Sequence, residues 1–205
     1  EGTLLSNLAS FLYGQGEPGE ALRCGEAALT CFRDIGDRSL QGIVMGNLAN
    51  LQKAHLQHAQ ALETYRAALL IHREMGMTQL EGMTLGNLAN LLRDLGRYNE
   101  ARIEYERALA ALRRVGNLRE EGNVLGGLGV LERVRGDTAL ARELFEQAAG
   151  IMRQVDDRAY LGIWLNELGD LSLAEGDLEG AIAQHDEVLA LCTGWPPALS
   201  RAHAG

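Results

Sequence analysis

The sequence predicts an all-α protein, an α-solenoid of five two-helix repeats. The chain aligns with itself at an offset of forty residues, almost throughout and without insertion or deletion. Single residue types recur at that period, which is typical of arrays whose repeats each pack only against their neighbours. The clearest columns are Gly2, Gly42, Gly82, Gly122 and Gly162; Leu8, Leu48, Leu88, Leu128 and Leu168; and Ala21, Ala61, Ala101, Ala141 and Ala181.

Composition and charge narrow the classes of function. The 205 residues carry a net charge of -9, which argues against general affinity for nucleic acid or anionic membranes because phosphate binding needs a basic surface. No apolar run approaches the roughly 20 residues that span a bilayer, and the first residues lack the layout of a signal peptide. Cys24, Cys31 and Cys192 lack metal-type spacing, so we expect a reduced, cytoplasmic protein.

The first helix of each repeat is indicated by apolar or small residues at three-to-four spacing. In repeat two these are Ile43, Met45, Leu48 and Ala49. We expect this helix to end near Leu56, where the other repeats place a glycine that can take the positive φ of a helix end. Those glycines are Gly16, Gly96, Gly136 and Gly176.

The second helix of repeat two carries Ala61, Leu62, Tyr65, Ala68, Leu69 and Ile71 on one face. It is expected to stop at Gly76, matched by Gly36 and Gly116, with Asp156 as the exception. Arginine recurs three residues before each stop, where a cation complements the helix dipole more simply than it forms a nucleic-acid stripe. These residues are Arg33, Arg73, Arg113 and Arg153.

Helix starts are marked by capping residues. Two pairs have capping-box spacing, Thr78 with Glu81 and Asn117 with Glu120. Four aspartates and one proline stand at further predicted starts: Asp37, Asp157, Asp137, Asp177 and Pro18.

The boundaries follow from the period. We expect one domain over residues 1–192, divided into repeats 1–40, 41–80, 81–120, 121–160 and 161–192, and a tail over 193–205. In the tail, Trp195, Pro196 and Pro197 precede either a short covering helix or a disordered end. The first helix begins without a polar capping helix, and the last helix carries uncovered apolar residues such as Ile182 and Leu189. We therefore expect a fragment of a longer protein or an end that packs on another molecule.

The repeat columns resemble the tetratricopeptide signature of a large apolar residue, leucine, a small residue, glycine, alanine, an aromatic residue and alanine. In repeat three these positions hold Leu85, Leu88, Ala89, Gly96, Ala101, Tyr105 and Ala108. The usual unit has about 34 residues, so the chain is similar to the forty-residue branch that includes Pins-type adaptors, kinesin light chain and bacterial regulators. The resemblance implies a right-handed superhelix that binds proteins.

The resemblance also implies a binding surface. First helices of such proteins line a concave groove that holds an extended or helical segment of a partner. With the glycine of the column Gly2 to Gly162 counted as position one of each repeat, the second, fifth, sixth, ninth and twelfth positions should face this groove. The peptide-binding residues predicted in this way are Asn7, Asn47, Asn50, Lys53, Asn87, Asn90, Arg93, Asn123 and Arg133.

These residue types suit a peptide. An amide donates and accepts, so successive asparagines can bond both the N–H and the C=O of an extended segment. Lys53, Arg93 and Arg133 favour a partner with acidic residues over repeats two to four. Negative charge comes from Glu167, Asp170 and Asp94, mainly toward repeat five. The alternative is that all of these are solvated polar faces of helices.

Glycine recurs in one groove-facing column, at Gly46, Gly86 and Gly126. A glycine inside a helix costs about 1 kcal/mol relative to alanine, so the column needs a reason. Close approach of a ligand backbone is one. Tight crossing of neighbouring first helices is the other, and we expect that crossing also to explain Gly42, Gly82 and Gly122.

Nothing indicates an enzyme, a cofactor or a metal site. Walker-type, glycine-flanked serine and zinc-helix motifs are absent from the sequence. His55 and His58 straddle a predicted turn without a third ligand, and His185 occupies an aromatic column where a packed imidazole is expected. The sequence therefore favours a protein-interaction module. The alternatives are a peptide-sensing array of a larger transcriptional or NTPase regulator, and a scaffold that self-associates through its uncovered ends.

Overall fold

A computed structural model describes residues 1–193, which form ten helices and no strand. The helices are α1 (Gly2–Gly14), α2 (Pro18–Asp34), α3 (Arg38–Ala54), α4 (His58–Glu74), α5 (Thr78–Asp94), α6 (Tyr98–Val115), α7 (Leu118–Arg135), α8 (Thr138–Gln154), α9 (Arg158–Glu175) and α10 (Leu178–Thr193). Two helices fall in each forty-residue repeat, so the predicted all-α array of helical hairpins is confirmed.

The chain divides into two compact units. The first unit, Glu1–Val115, holds α1 to α6, and the second begins at Gly116 and holds α7 to α10. Within each unit every helix packs on the next one in the chain. A single domain over residues 1–192 stays a prediction, and the predicted tail beyond residue 193 lies outside the described residues.

The core of each hairpin is built from small residues and one aromatic ring. All five residues of the alanine column, from Ala21 to Ala181, are buried. Tyr65, Tyr105 and Phe145 fill the space beside them and are at most 1% exposed. Burial of a large apolar side chain contributes about 1.5–3 kcal/mol, so the aromatic column is a main source of stability.

Helix ends follow the predicted glycine columns. Gly16, Gly96, Gly136 and Gly176 have φ between 73° and 88°, the left-handed conformation that glycine adopts without strain. Leu56 and Asp156 take the same conformation, with φ of 61° and 53°. Beyond each, the backbone N–H of the next residue donates to a carbonyl five residues earlier, which satisfies a carbonyl that the helix end leaves free. The turn geometry is therefore kept even where glycine is missing.

Most predicted helix starts are confirmed. The side chains of Asp37, Asn117, Asp137, Asp157 and Asp177 each accept a hydrogen bond from the backbone N–H three residues later, at 2.9–3.2 Å. Pro18 opens α2 as expected.

The predicted cap at Thr78 is wrong. The forty-residue column places the start of α5 at Met77, which has no side chain that can accept a hydrogen bond. Thr78 is already helical, and its hydroxyl accepts a hydrogen bond from Arg114 at 2.7 Å.

The glycine column at Gly42, Gly82 and Gly122 has a different cause from the one predicted. A Cβ at Gly42 would lie 2.8 Å from Ile71, and one at Gly82 would lie 2.7 Å from Leu112. Both contacts belong to the second helix of the same hairpin, not to a neighbouring first helix. A Cβ at Gly122 would likewise lie 2.6 Å from Met152 on α8, so these glycines allow the two helices of a hairpin to approach.

Two free thiols lie on α2, and several large apolar side chains on α1 and α10 are exposed. Cys24 and Cys31 are free thiols, half-buried on α2. Leu4 and Phe11 on α1 are 74% and 61% exposed, and Ile182 and Leu189 on α10 are about as exposed. No helix up to residue 193 combines the length and apolar character needed to cross a bilayer.

Candidate functional site

The predicted binding residues all lie on first helices of their hairpins. Asn7 is on α1; Asn47, Asn50 and Lys53 are on α3; Asn87, Asn90 and Arg93 are on α5; Asn123 and Arg133 are on α7. Helices α3 and α5 contact each other, so repeats two and three bring their polar rows side by side within the first unit. The row on α3 is more exposed than the row on α5.

Two of these asparagines are bonded to buried tyrosines. The hydroxyl of Tyr65 donates to Oδ1 of Asn50 at 2.5 Å, and that of Tyr105 donates to Oδ1 of Asn90 at 2.6 Å. Burial raises the pKa of both tyrosines, so each hydroxyl keeps its proton and needs an acceptor. Asn50 and Asn90 therefore tie the first helix to the second, and only the amide nitrogen and one oxygen lone pair remain for a ligand.

The sequence analysis missed this bond, although the columns contain a signal for it. Repeats two and three pair asparagine with tyrosine fifteen residues later. Repeat four has Val130 and Phe145 at the same two positions, so both polar groups are absent together. Such paired replacement is expected for two side chains that satisfy each other.

Asn47 and Asn87 differ from their neighbours. They occupy the same position in consecutive repeats, on the contacting helices α3 and α5. Neither amide has a hydrogen-bond partner within the part of the chain that the structure describes, and Asn47 is exposed. These two amides keep their full capacity to donate and accept.

The cations beside the amides share one carboxylate. Nζ of Lys53 lies 2.8 Å from Asp94, and the Arg93 guanidinium lies 2.9 Å from the same side chain. Partial burial raises the pKa of Asp94, but the hydrogen bonds from Lys53 and Arg93 outweigh that effect and hold the pKa below its usual value. Arg93 also donates to the hydroxyl of Tyr105 at 3.3 Å. Two positive charges and one negative charge leave one net positive charge here.

In the second unit the predicted residues are engaged by carboxylates. The Asn123 amide donates to Glu120 at 3.4 Å, and Nε of Arg133 lies 3.1 Å from Glu167. The positive charge expected at Arg133 is therefore balanced within the unit.

The groove-facing glycines separate into two cases. A Cβ at Gly126 would lie 2.4 Å from the indole of Trp164, so this glycine leaves room for a large side chain of the next first helix, α9, to pack on α7. A Cβ at Gly46 would meet only the hydroxyl of Thr84, at 3.7 Å. Packing explains Gly126 and leaves Gly46 unexplained.

The histidines and arginines singled out in the sequence have structural surroundings. His55 and His58 flank the turn between α3 and α4, and no group of three potential metal ligands occurs among residues 1–193. The ring of His185 packs on Gly169, as predicted for the aromatic column. The recurring arginines lie in last turns of second helices, as expected from the helix dipole.

Comparison with known families agrees with this architecture. The family model described as tetratricopeptide repeat matches residues 1–74, 80–154 and 120–194. The chain belongs to the tetratricopeptide repeat family. This family provides scaffolds for protein–protein interaction rather than catalytic sites, so the protein is an interaction module. No curated protein matches its sequence.

Solved tetratricopeptide repeat structures superpose on most of the chain. BtubC (BKLC) from P. vanneervenii is 25% identical with a TM-score of 0.79, over 93% of this chain and 79% of that one. A Rap protein complexed with competence and sporulation factor is 16% identical with a TM-score of 0.84, over 93% and 54%.

A third structure covers both chains almost entirely. The TPR-like repeats of a Podosopora anserina protein described as a kinesin light chain are 18% identical, with a TM-score of 0.71 over 94% and 95%. The predicted likeness to kinesin light chain and to bacterial regulators is confirmed at the level of fold.

Proposed function

We propose that the first-helix face of the unit Glu1–Val115 binds an extended peptide segment of a partner protein, so that the module acts as an adaptor. The observation that carries this proposal is the pair Asn47 and Asn87, whose amides recur on contacting helices without a partner in the described chain. The proposal includes a cytoplasmic location, which the free thiols of Cys24 and Cys31 support.

The spacing of the two amides suits a peptide backbone. Neighbouring packed helices have axes about 8–10 Å apart, and an extended chain rises about 3.3 Å per residue. Amides on α3 and α5 would therefore meet backbone groups about three residues apart. Each amide can bond one N–H and one C=O, which gives affinity without demanding a particular sequence.

Charge and space support the same surface. The net positive charge around Lys53, Arg93 and Asp94 stands beside the amides of a chain whose total charge is -9, and it would attract an acidic residue of the partner. A Cβ at Gly46 would contact only Thr84, at 3.7 Å, so the glycine leaves room beside α3 where a ligand backbone can approach. Asn7 remains a predicted part of this surface, and Asn123 and Arg133 remain predicted binding residues of the second unit.

The test removes the unpaired amides and leaves the tyrosine-bonded ones intact. Partners captured from lysate by the wild-type protein and by the variant Asn47→Ala/Asn87→Ala are quantified by mass spectrometry. Loss of four hydrogen bonds, two from each amide, at about 0.5 kcal/mol each predicts roughly 30-fold weaker binding of a specific partner.

A matched control is Asn99→Ala, because Asn99 is an exposed amide at the start of the second helix α6. This control should capture the same partner at wild-type level. Equal capture by the wild type and by the Asn47→Ala/Asn87→Ala variant, with unchanged helicity, would refute the proposal.

Self-association is a second candidate, favoured by the exposure of Leu4 and Phe11 on α1. Leu4 and Phe11 are seven residues apart and lie on the same face of α1. Their exposure to water is unfavourable, and their burial against a second copy would stabilise a dimer. Sedimentation equilibrium of the wild type and of Leu4→Ser/Phe11→Ser decides the matter. A wild-type mass that does not change with concentration would exclude this candidate.

A further inference from the structure

Repeat one lacks the aromatic residue that the other repeats place in their core. The column holds Tyr65, Tyr105, Phe145 and His185 in repeats two to five, and Gly25 in repeat one. Gly25 is buried inside α2 with an ordinary helical backbone, so its conformation does not require glycine. The missing ring should therefore leave a space in the first hairpin.

A cavity of about 180 Å³ occupies that place. Its floor is apolar and buried, formed by Ala9, Gly25, Val44, Leu48 and Leu51. Its rim is polar, formed by Ser6, Ser10, Tyr13, Asn47 and Asn50. The rim residues occupy groove-facing positions of α1 and α3, so the cavity opens on the face that carries Asn47.

The size and lining match one aromatic ring. An apolar cavity of about 150 Å³ is known to hold benzene. A Cβ at Gly25 would lie 3.2 Å from Leu48 and 3.4 Å from Leu51, so a side chain at this position would enter the space between those leucines. The repeats that have a ring there bury it almost completely, as Tyr65 and Phe145 show.

We propose that this cavity is a pocket for the phenyl ring of a phenylalanine in the partner segment, an inference that rests on the proposed peptide binding. The ring would replace from outside the one that α2 does not supply. Ser10, whose hydroxyl donates to the Ser6 carbonyl at 3.2 Å, keeps its lone pairs for an N–H of the segment beside the ring.

The direction of entry selects phenylalanine over tyrosine. The ring of Tyr65 starts from the second helix, and its hydroxyl emerges at the first-helix face, where Asn50 accepts its hydrogen bond. A ligand ring enters from that face and points its far end at Gly25 and Val44. A para-hydroxyl would then be buried against apolar groups without an acceptor, which is unfavourable.

Side-chain analogues test the pocket without the rest of a ligand. Toluene and p-cresol are titrated at millimolar concentrations into the ¹⁵N-labelled chain, and amide shifts are followed. We expect toluene to shift the signals of Gly25, Leu48 and Ser10, and p-cresol to bind at least about tenfold more weakly. Absence of shifts at these residues, or equal binding of both probes, would overturn the proposal.

Filling the pocket from within provides the variants. Gly25→Phe should abolish toluene binding by supplying the missing ring, and Gly25→Leu serves the same purpose with a smaller side chain if the first variant does not fold. Gly150→Leu is the matched control, because Gly150 lies within α8 with nothing inside 4 Å of an added Cβ. Toluene binding that persists in a folded Gly25 variant would show that the probe binds elsewhere.

The probe experiment and the capture experiment fail independently. Toluene binding with unchanged partner capture by Asn47→Ala/Asn87→Ala would leave the pocket and refute the amide surface. Reduced capture without toluene binding would leave the amide surface and refute the pocket.

Discussion

Replacing Asn50 with valine and Tyr65 with phenylalanine would convert the polar pair of repeat two into the apolar pair found in repeat four. The hydroxyl of Tyr65 donates to Asn50 at 2.5 Å, and Tyr65 is 1% exposed, whereas Asn50 is exposed. The two single substitutions therefore leave different groups behind. A double-mutant cycle measures how strongly the two side chains are coupled.

The expected costs follow from what each change leaves unsatisfied. Tyr65→Phe removes one hydrogen bond while water can solvate the Asn50 amide, so it should cost about 1 kcal/mol. Asn50→Val leaves a buried hydroxyl without an acceptor and should cost about 2 kcal/mol. The double variant leaves neither group, so its cost should be about 1 kcal/mol and the coupling about 2 kcal/mol.

The free energy of unfolding is measured by urea denaturation followed by circular dichroism. The control cycle combines Asn47→Val with Tyr65→Phe, because Asn47 lies one turn earlier on α3 and has no bond to the tyrosine. Its coupling should be near zero. A coupling for Asn50 and Tyr65 that equals the control would refute the structural role assigned to Asn50.

Further predictions concern turns, glycines and one buried histidine. Leu56→Gly should raise the free energy of unfolding by about 1 kcal/mol, because Leu56 has φ of 61°, which glycine adopts without strain. The control Leu95→Gly, at φ of -86°, should lower the free energy of unfolding. Thermal unfolding checks both. Gly126→Ala should destabilise by about 1–3 kcal/mol through overpacking, and Gly46→Ala should stabilise by about 0.4–1 kcal/mol; the same sign for both would contradict the distances given above. Burial lowers the pKa of His72, and this effect outweighs the hydrogen bond with the Gly42 backbone and the charge of Glu81, which raise the pKa. The folded state therefore favours the neutral ring. That stabilisation is complete above the unfolded pKa of about 6.5 and is lost as pH falls toward the folded pKa. Stability of His72→Leu measured from about pH 7 to pH 5 should fall less than that of the wild type, and parallel curves would refute the assignment.

The fold could be predicted because the period fixes both the helices and their ends. A glycine column marks each turn, and Leu56 and Asp156 follow the backbone of their column because neighbouring hydrogen bonds impose it. The prediction at Thr78 is wrong because it rests on the capping-box spacing of Thr78 and Glu81, whereas the forty-residue column of Asp37, Asn117 and Asp157 points to Met77. The turn places the helix start one residue earlier, whatever side chain stands there.

The candidate site was less accessible to sequence reasoning. The period predicts which helix carries Asn47 and Asn50, and the tetratricopeptide resemblance implies which positions face the groove. Neither predicts what each side chain meets across the hairpin. Asn50 meets Tyr65, whereas Asn47 meets no partner in the described chain. The cavity at Gly25 is also not predicted, because its signal is the absence of an aromatic residue from a column that holds a ring in the other repeats.

Asp94 has a consequence for the choice of partner. Its carboxylate already occupies the space between Lys53 and Arg93, so an incoming acidic residue must displace an internal competitor of the same chemistry. A carboxylate that contacts only one of the two cations gains little binding free energy from that exchange, whereas a segment that contacts both cations at once gains more. In the proposed peptide binding, Asp94 would therefore raise the threshold for recognition of an acidic segment, and a chain with asparagine in its place would accept such segments less selectively.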